Sequence, residues 1–83
     1  MENVHRKQAY AELNYAQRQV YLAIKKYIRD NGYSPTYREL CELTNYSSVS
    51  TVSKYIDVLV KLDLITAEEG KPRTIKVLPF LKG

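Results

Sequence analysis

Residues 33–62 read YSPTYRELCELTNYSSVSTVSKYIDVLVKL, and this stretch decides the fold. Pro35 pushes its predecessor out of the helical region, so Tyr33, Ser34 and Pro35 are extended. Thr36 then opens a short helix, with Glu39 three residues on closing a Thr-x-x-Glu capping box. Leu40 and Leu43 point that helix at a core, and it ends around Thr44 and Asn45. Asn45, Tyr46 and Ser47 form a turn, and Ser47 or Ser48 caps the next helix. Val49, Val52, Ile56 and Leu59 recur at spacings of three and four and make one apolar face. Ser50, Thr51, Ser53, Lys54 and Asp57 lie on the opposite face. Asp63 closes the helix at a position where glycine or asparagine is more usual. A short helix, a tight turn and a second helix are the signature of a helix-turn-helix.

Upstream, Asn14 and Gln17 repeat the capping-box pattern. Val20, Ala23, Ile24, Tyr27 and Ile28 then follow at helical spacing. Asn31 and Gly32 stop this first long helix, since glycine tolerates the left-handed conformation of a cap. Downstream, residues 64–67 and 74–78 read as two strands. Between them, Glu68 to Arg73 is a hairpin loop with Gly70 and Pro72 as turn formers. Pro79 prevents the second strand from continuing as a central one. The fold class is therefore mainly α with a small β-hairpin, an α+β arrangement. Its architecture is a winged helix-turn-helix, with a three-helix core and a two-stranded antiparallel wing. The domain spans residues 13–78, between an N-terminal arm (1–12) and a C-terminal tail (79–83). The arm is left open between a flexible segment and an extra helical turn. No repeat or long linker divides the chain.

The second helix of the motif, from Ser48 to about Leu62, is the expected recognition helix. A helix fits the major groove of duplex DNA, where base edges carry a distinct donor and acceptor pattern. Its N-terminal residues reach the bases. The expected base contacts are Ser48, Ser50, Thr51, Ser53 and Lys54. Short hydroxyl side chains let the helix approach the groove floor, the Thr51 methyl suits a thymine methyl, and Lys54 reaches a guanine or a phosphate. A helix start needs one capping serine. Four hydroxyl residues lower helix propensity without return to folding, which favours a further task over a merely solvated surface. In the wing, Lys71 and Arg73 flank Pro72, and a stiff cationic loop contacts phosphates or the minor groove. Further backbone contacts fall to Tyr33, Thr36, Tyr37 and Arg38, at the positive end of the short helix. Glu68 and Glu69 offset part of the wing's positive charge.

The whole-chain numbers agree with a small binding domain. The 83 residues carry 45% apolar and 27% charged side chains, an ordinary globular balance. A net charge of +4 suits an anionic partner without proving one. Cys41 is the single cysteine, so no internal disulfide forms and a reducing setting fits. It reads as a small buried residue rather than a redox switch. No signal peptide or bilayer-length apolar run is visible. The expected setting is the cytoplasm, as a bacterial nucleoid-associated or phage-encoded protein. His5 is the one histidine, and no Cys/His cluster has zinc spacing. No glycine-rich phosphate loop exists. No enzyme, cofactor, metal, membrane or small-molecule substrate is expected.

The stretches Leu13 to Gln17, Ile28 to Leu40, Ser47 to Val52, Leu59 to Ile65 and Lys71 to Ile75 carry a resemblance. From Leu13 to Leu78, about four-fifths of the chain, the sequence resembles the N-terminal DNA-binding domain of the LexA family of bacterial SOS repressors. It looks most like the Gram-positive forms. The resemblance implies a winged helix with base contacts at Ser48, Ser50, Thr51, Ser53 and Lys54. Residue identities there depart from the family, which often has asparagine, glycine or acidic residues, so no operator sequence carries over. The family also carries a C-terminal domain that dimerises and cuts itself through a serine-lysine pair. Here the chain ends about five residues after the wing strand, so self-cleavage and damage sensing are not expected. Ser53 and Lys54 are helical neighbours that do not face one another and form no such dyad. The expected partner is double-stranded DNA, bound by a small transcriptional regulator, most naturally a repressor. A homodimer on DNA or a partner subunit are both open. The alternative is a protein-interaction module, an antirepressor or adaptor, on the same scaffold.

Overall fold

The computed structural model describes residues 4–46 and 48–80. Four helices precede a hairpin: α1 (Val4–Ala11), α2 (Tyr15–Asn31), α3 (Tyr37–Thr44), α4 (Val49–Lys61), β1 (Ile65–Thr66) and β2 (Lys76–Val77). The strands are antiparallel, with Ile65 opposite Val77 and Thr66 opposite Lys76. Helices α2, α3 and α4 pack on one another and β1 abuts α4, which is a winged helix-turn-helix.

Helices α2, α3 and α4 each begin at a side chain that satisfies free backbone groups. Asn14 caps α2 and Thr36 caps α3, each in a complete capping box with Gln17 and Glu39. Ser48 caps α4, its hydroxyl accepting from the Thr51 N–H at 3.2 Å. The alternative cap at Ser47 lies outside the described residues. Gly32 ends α2 at φ 80, and Asn45 ends α3 at φ 61. After α4, Asp63 takes φ 61 while Leu64 N–H bonds the Leu59 carbonyl and Asp63 N–H that of Val60, both at 3.0 Å. This is a Schellman ending built on aspartate.

The core draws Val20, Tyr21 and Ile24 from α2, Leu40 from α3, and Val52, Ile56 and Leu59 from α4. Leu64, Ile65 and Ile75 close it from the hairpin. Each fully buried aliphatic side chain contributes about 1.5–3 kcal/mol of transfer free energy. Two apolar positions read from periodicity as core are not: Leu43 is 53% exposed and Val49 is 41% exposed. Spacing of three or four marks a face but not its margin, and both residues lie on the margin. Cys41 is partly buried against the core.

Helix α1 packs through Ala9 and Tyr10, whose ring meets Tyr21 at 5.4 Å and Phe80 at 5.9 Å. Arg6 Nε donates to the Asp63 carbonyl at 2.9 Å and Nη1 donates to the Pro79 carbonyl at 2.8 Å. The first helix thus joins the end of α4 to the chain leaving the wing. Residues 1–3 and 81–83 of the expected arm and tail lie outside the described residues.

The ladder of the wing is shorter than the two apolar runs suggest. Thr74 donates its hydroxyl toward the carbonyls of Glu68 and Lys71 and accepts from Glu68 N–H. Ile75 N–H donates to Ser34 Oγ at 3.0 Å, so its donor leaves the hairpin for the α2–α3 connection.

Candidate nucleic-acid interface

The first two turns of α4 bring five of the expected contact residues together. Ser48, Ser50 and Lys54 are exposed, and Thr51 and Ser53 are half-buried. The Ser48 and Thr51 hydroxyls lie 3.0 Å apart, so the cap that starts the helix also fixes the Thr51 side chain. Among the described residues, no ion pair engages Lys54. The result is a short, uncrowded polar surface with one long cation, a shape that can enter a groove closely.

Beside it stands the wing. An open groove of about 680 Å³ separates the two, lined by Thr36, Tyr37, Ser53, Asp57, Glu69 and Lys71 among others. Lys71 is largely exposed, and its 3.8 Å approach to Glu68 is a surface pair of little energetic weight. Asp57, Glu68 and Glu69 line it together with Lys61 and Lys71, so the carboxylates that offset the wing's charge in the sequence face this groove. Tyr37 registers them: burial, followed by the Asp57 and Glu69 charges, pushes its hydroxyl above the ordinary tyrosine range. Thr36 is occupied as the cap of α3, accepting from Glu39 N–H at 3.1 Å. Arg38 and Tyr33 are exposed near that helix start.

Arg73 differs from the other expected contact residues, because its side chain, though 42% exposed, turns its guanidinium toward α3. Nη1 donates to Glu39 Oε1 at 3.1 Å, to the Ser34 carbonyl at 3.1 Å and to the Tyr27 hydroxyl at 3.3 Å. Nη2 donates to Glu39 Oε2 at 3.1 Å. The ring of Tyr33 covers the guanidinium at 4.9 Å. Glu39 also accepts from Thr36 N–H at 2.8 Å and from the Tyr27 hydroxyl at 3.1 Å. The backbone hydrogen bond at Thr36, with the Arg73 contact next in weight, holds the Glu39 carboxyl down at about 2. Sequence reading took Glu39 as a cap alone and missed Tyr27 and Ser34. The capping box is a local pattern, whereas Arg73 lies 34 positions from Glu39 and 39 from Ser34.

Among the described residues, no group of three or more His, Cys, Asp or Glu side chains is arranged to hold a metal ion. None of the helices is long and apolar enough to cross a membrane, again among the described residues.

Residues 10–74 match the family model of the LexA DNA binding domain. The chain is 36% identical over 67 residues to a LexA repressor of Acetivibrio thermocellus, covering 81% of this chain and 32% of that protein. It is 37% identical over 67 residues to a LexA repressor of Caldicellulosiruptor saccharolyticus, covering 81% and 33%. A LexA repressor of Clostridium novyi is 40% identical over 60 residues, covering 72% and 29%. The chain spans about a third of the length of the curated relatives it matches. Most of α1 precedes the matched segment.

Proposed function

The chain belongs to the LexA DNA binding domain family, and from that membership we propose that it binds double-stranded DNA at specific sequences and represses transcription. The observation that carries this reading is the start of α4, where exposed Ser48, Ser50 and Lys54 and half-buried Thr51 and Ser53 form a polar surface next to the wing. We assign base contacts in the major groove to these five residues. Backbone contacts are assigned to Tyr33, Thr36, Tyr37 and Arg38 around the start of α3, and to Lys71 on the wing. Arg73 stands apart, since Glu39 already engages its guanidinium. The protein acts in this reading as a non-enzymatic regulator in the cytoplasm. One recognition helix reads only a few base pairs, so occupancy of a full site calls for a second copy on the DNA or a partner subunit.

Selection of binding sites from a pool of random duplex DNA, at near-physiological salt, tests the reading. Enrichment of one motif supports it, and the motif's symmetry and half-site spacing give the arrangement of copies. A folded protein that enriches nothing overturns sequence-specific binding. The groove between α4 and the wing, where Asp57, Glu68 and Glu69 stand beside Lys61 and Lys71, then favours the protein-interaction reading, and a partner would be sought by affinity capture.

A further inference from the structure

We propose that the Glu39–Arg73 pair is a strut that holds the wing against the helix-turn-helix and so sets the spacing between α4 and the wing tip that a duplex must match. Arg73 is then a positioning residue, acting on DNA through geometry rather than by touching a phosphate. The inference rests on the DNA-binding reading for its consequence, though not for the strut itself.

Three observations carry it. The base of the wing is held by Leu64, Ile65 and Ile75 in the core, but its ladder is only two residue pairs long, and an isolated hairpin of that size is marginal. Towards the loop, the ties made by Arg73 and Ile75 converge on one place, the start of α3. Arg73 meets Glu39 through a two-point fork, with both contacts at 3.1 Å, and Ile75, two residues on, bonds Ser34 Oγ. Ser34 is only 7% exposed, so this second tie is shielded from water. Finally, Arg73 sits at φ 57, a left-handed conformation that side chains other than glycine adopt reluctantly. That backbone turn aims the guanidinium back at α3 and away from the outer face of the loop, where Lys71 stands exposed. One carboxylate thereby starts α3 and anchors the wing.

Charge and geometry make opposite forecasts for substitutions here. Glu39→Gln keeps the capping box, because glutamine serves at that position as glutamate does. It removes a negative charge, which by electrostatics alone strengthens attraction to DNA. The strut forecasts the reverse: affinity for the selected duplex falls about tenfold. Arg73→Lys keeps the cation and loses the planar fork. A phosphate contact would leave affinity near that of the unaltered protein. The strut forecasts a loss as large as that of Arg73→Ala, with an unchanged dependence on salt. Amide hydrogen exchange, measured without DNA, tests the strut separately. The Glu68 and Ile75 amides are expected to exchange faster in both variants, while core amides of α2 and α4 keep their protection. Tighter binding by the Glu39→Gln protein, or near-normal binding by the Arg73→Lys protein, overturns the positioning role. Unchanged wing exchange overturns the strut itself. Failure of the unaltered protein to select any motif counts against the DNA reading alone, and the wing amides then decide the strut.

Discussion

Glu39 concentrates several duties in one carboxylate: it caps α3, receives the Arg73 fork and accepts the Tyr27 hydroxyl. All three favour its charged form, and its folded pKa lies near 2, below the ordinary glutamate value of 4.5. A depressed folded pKa stabilises the native state fully above the unfolded value and loses that contribution as pH falls through the folded one. Acid unfolding followed by circular dichroism is therefore expected to show a component between about pH 4.5 and 2 that the Glu39→Gln protein lacks. Identical acid profiles would contradict this. On the reading face, Thr51 and Lys54 differ in how firmly they are held. The Ser48 hydroxyl lies 3.0 Å from that of Thr51, whereas Lys54 has no ion pair among the described residues. Thr51→Ala and Lys54→Ala are each expected to shift sequence preference, with about 1–3 kcal/mol of discrimination lost at one base position. Binding selections on both variants check this, and an unchanged motif in both would remove the start of α4 as the reading surface.

At the scale of elements, what the sequence discloses is what neighbouring residues decide. Asn14 with Gln17, Thr36 with Glu39, Ser48, and Gly32 each satisfy backbone groups within a few positions, so helix starts and stops were legible. The winged helix followed from their order. Three things were not legible, for a common reason. The margins of the apolar faces depend on which neighbour arrives, so Leu43 and Val49 were misplaced. The strands shortened because Thr74 bonds inside its own loop and Ile75 bonds Ser34. The turn of Arg73 toward α3 depends on partners that only folding brings near. Gly32 offers a clean test of the local rules. It sits at φ 80, and an added Cβ would meet nothing within 4 Å. Gly32→Ala is thus expected to cost about 1–2 kcal/mol from the left-handed backbone alone, with no clash against other parts of the fold. Urea unfolding measures it; a loss near zero would mean that the end of α2 relaxes out of this conformation.

At the scale of the whole molecule, charge is distributed in a way that bears on selectivity. The net charge is +4, yet the groove between recognition helix and wing is lined by Asp57, Glu68 and Glu69 as well as Lys61 and Lys71. A duplex seated on α4 with the wing on its backbone would bring phosphates past these carboxylates. Any duplex meets that repulsion, whereas only a matching one gains base contacts to offset it, and specificity is the difference between the two. Two variants separate attraction from repulsion. Lys71→Ala is expected to weaken binding to selected and random duplexes alike, and to reduce the slope of log affinity against log salt by about 0.9. The Asp57→Asn and Glu69→Gln double variant is expected to bind random duplex severalfold more tightly while gaining less on the selected motif, so the ratio between them falls. Titrations of both duplexes at several salt concentrations measure these effects together. An unaltered ratio in the double variant would mean that the carboxylates stand clear of the bound DNA, and that discrimination resides wholly in the contacts made by the first turns of α4.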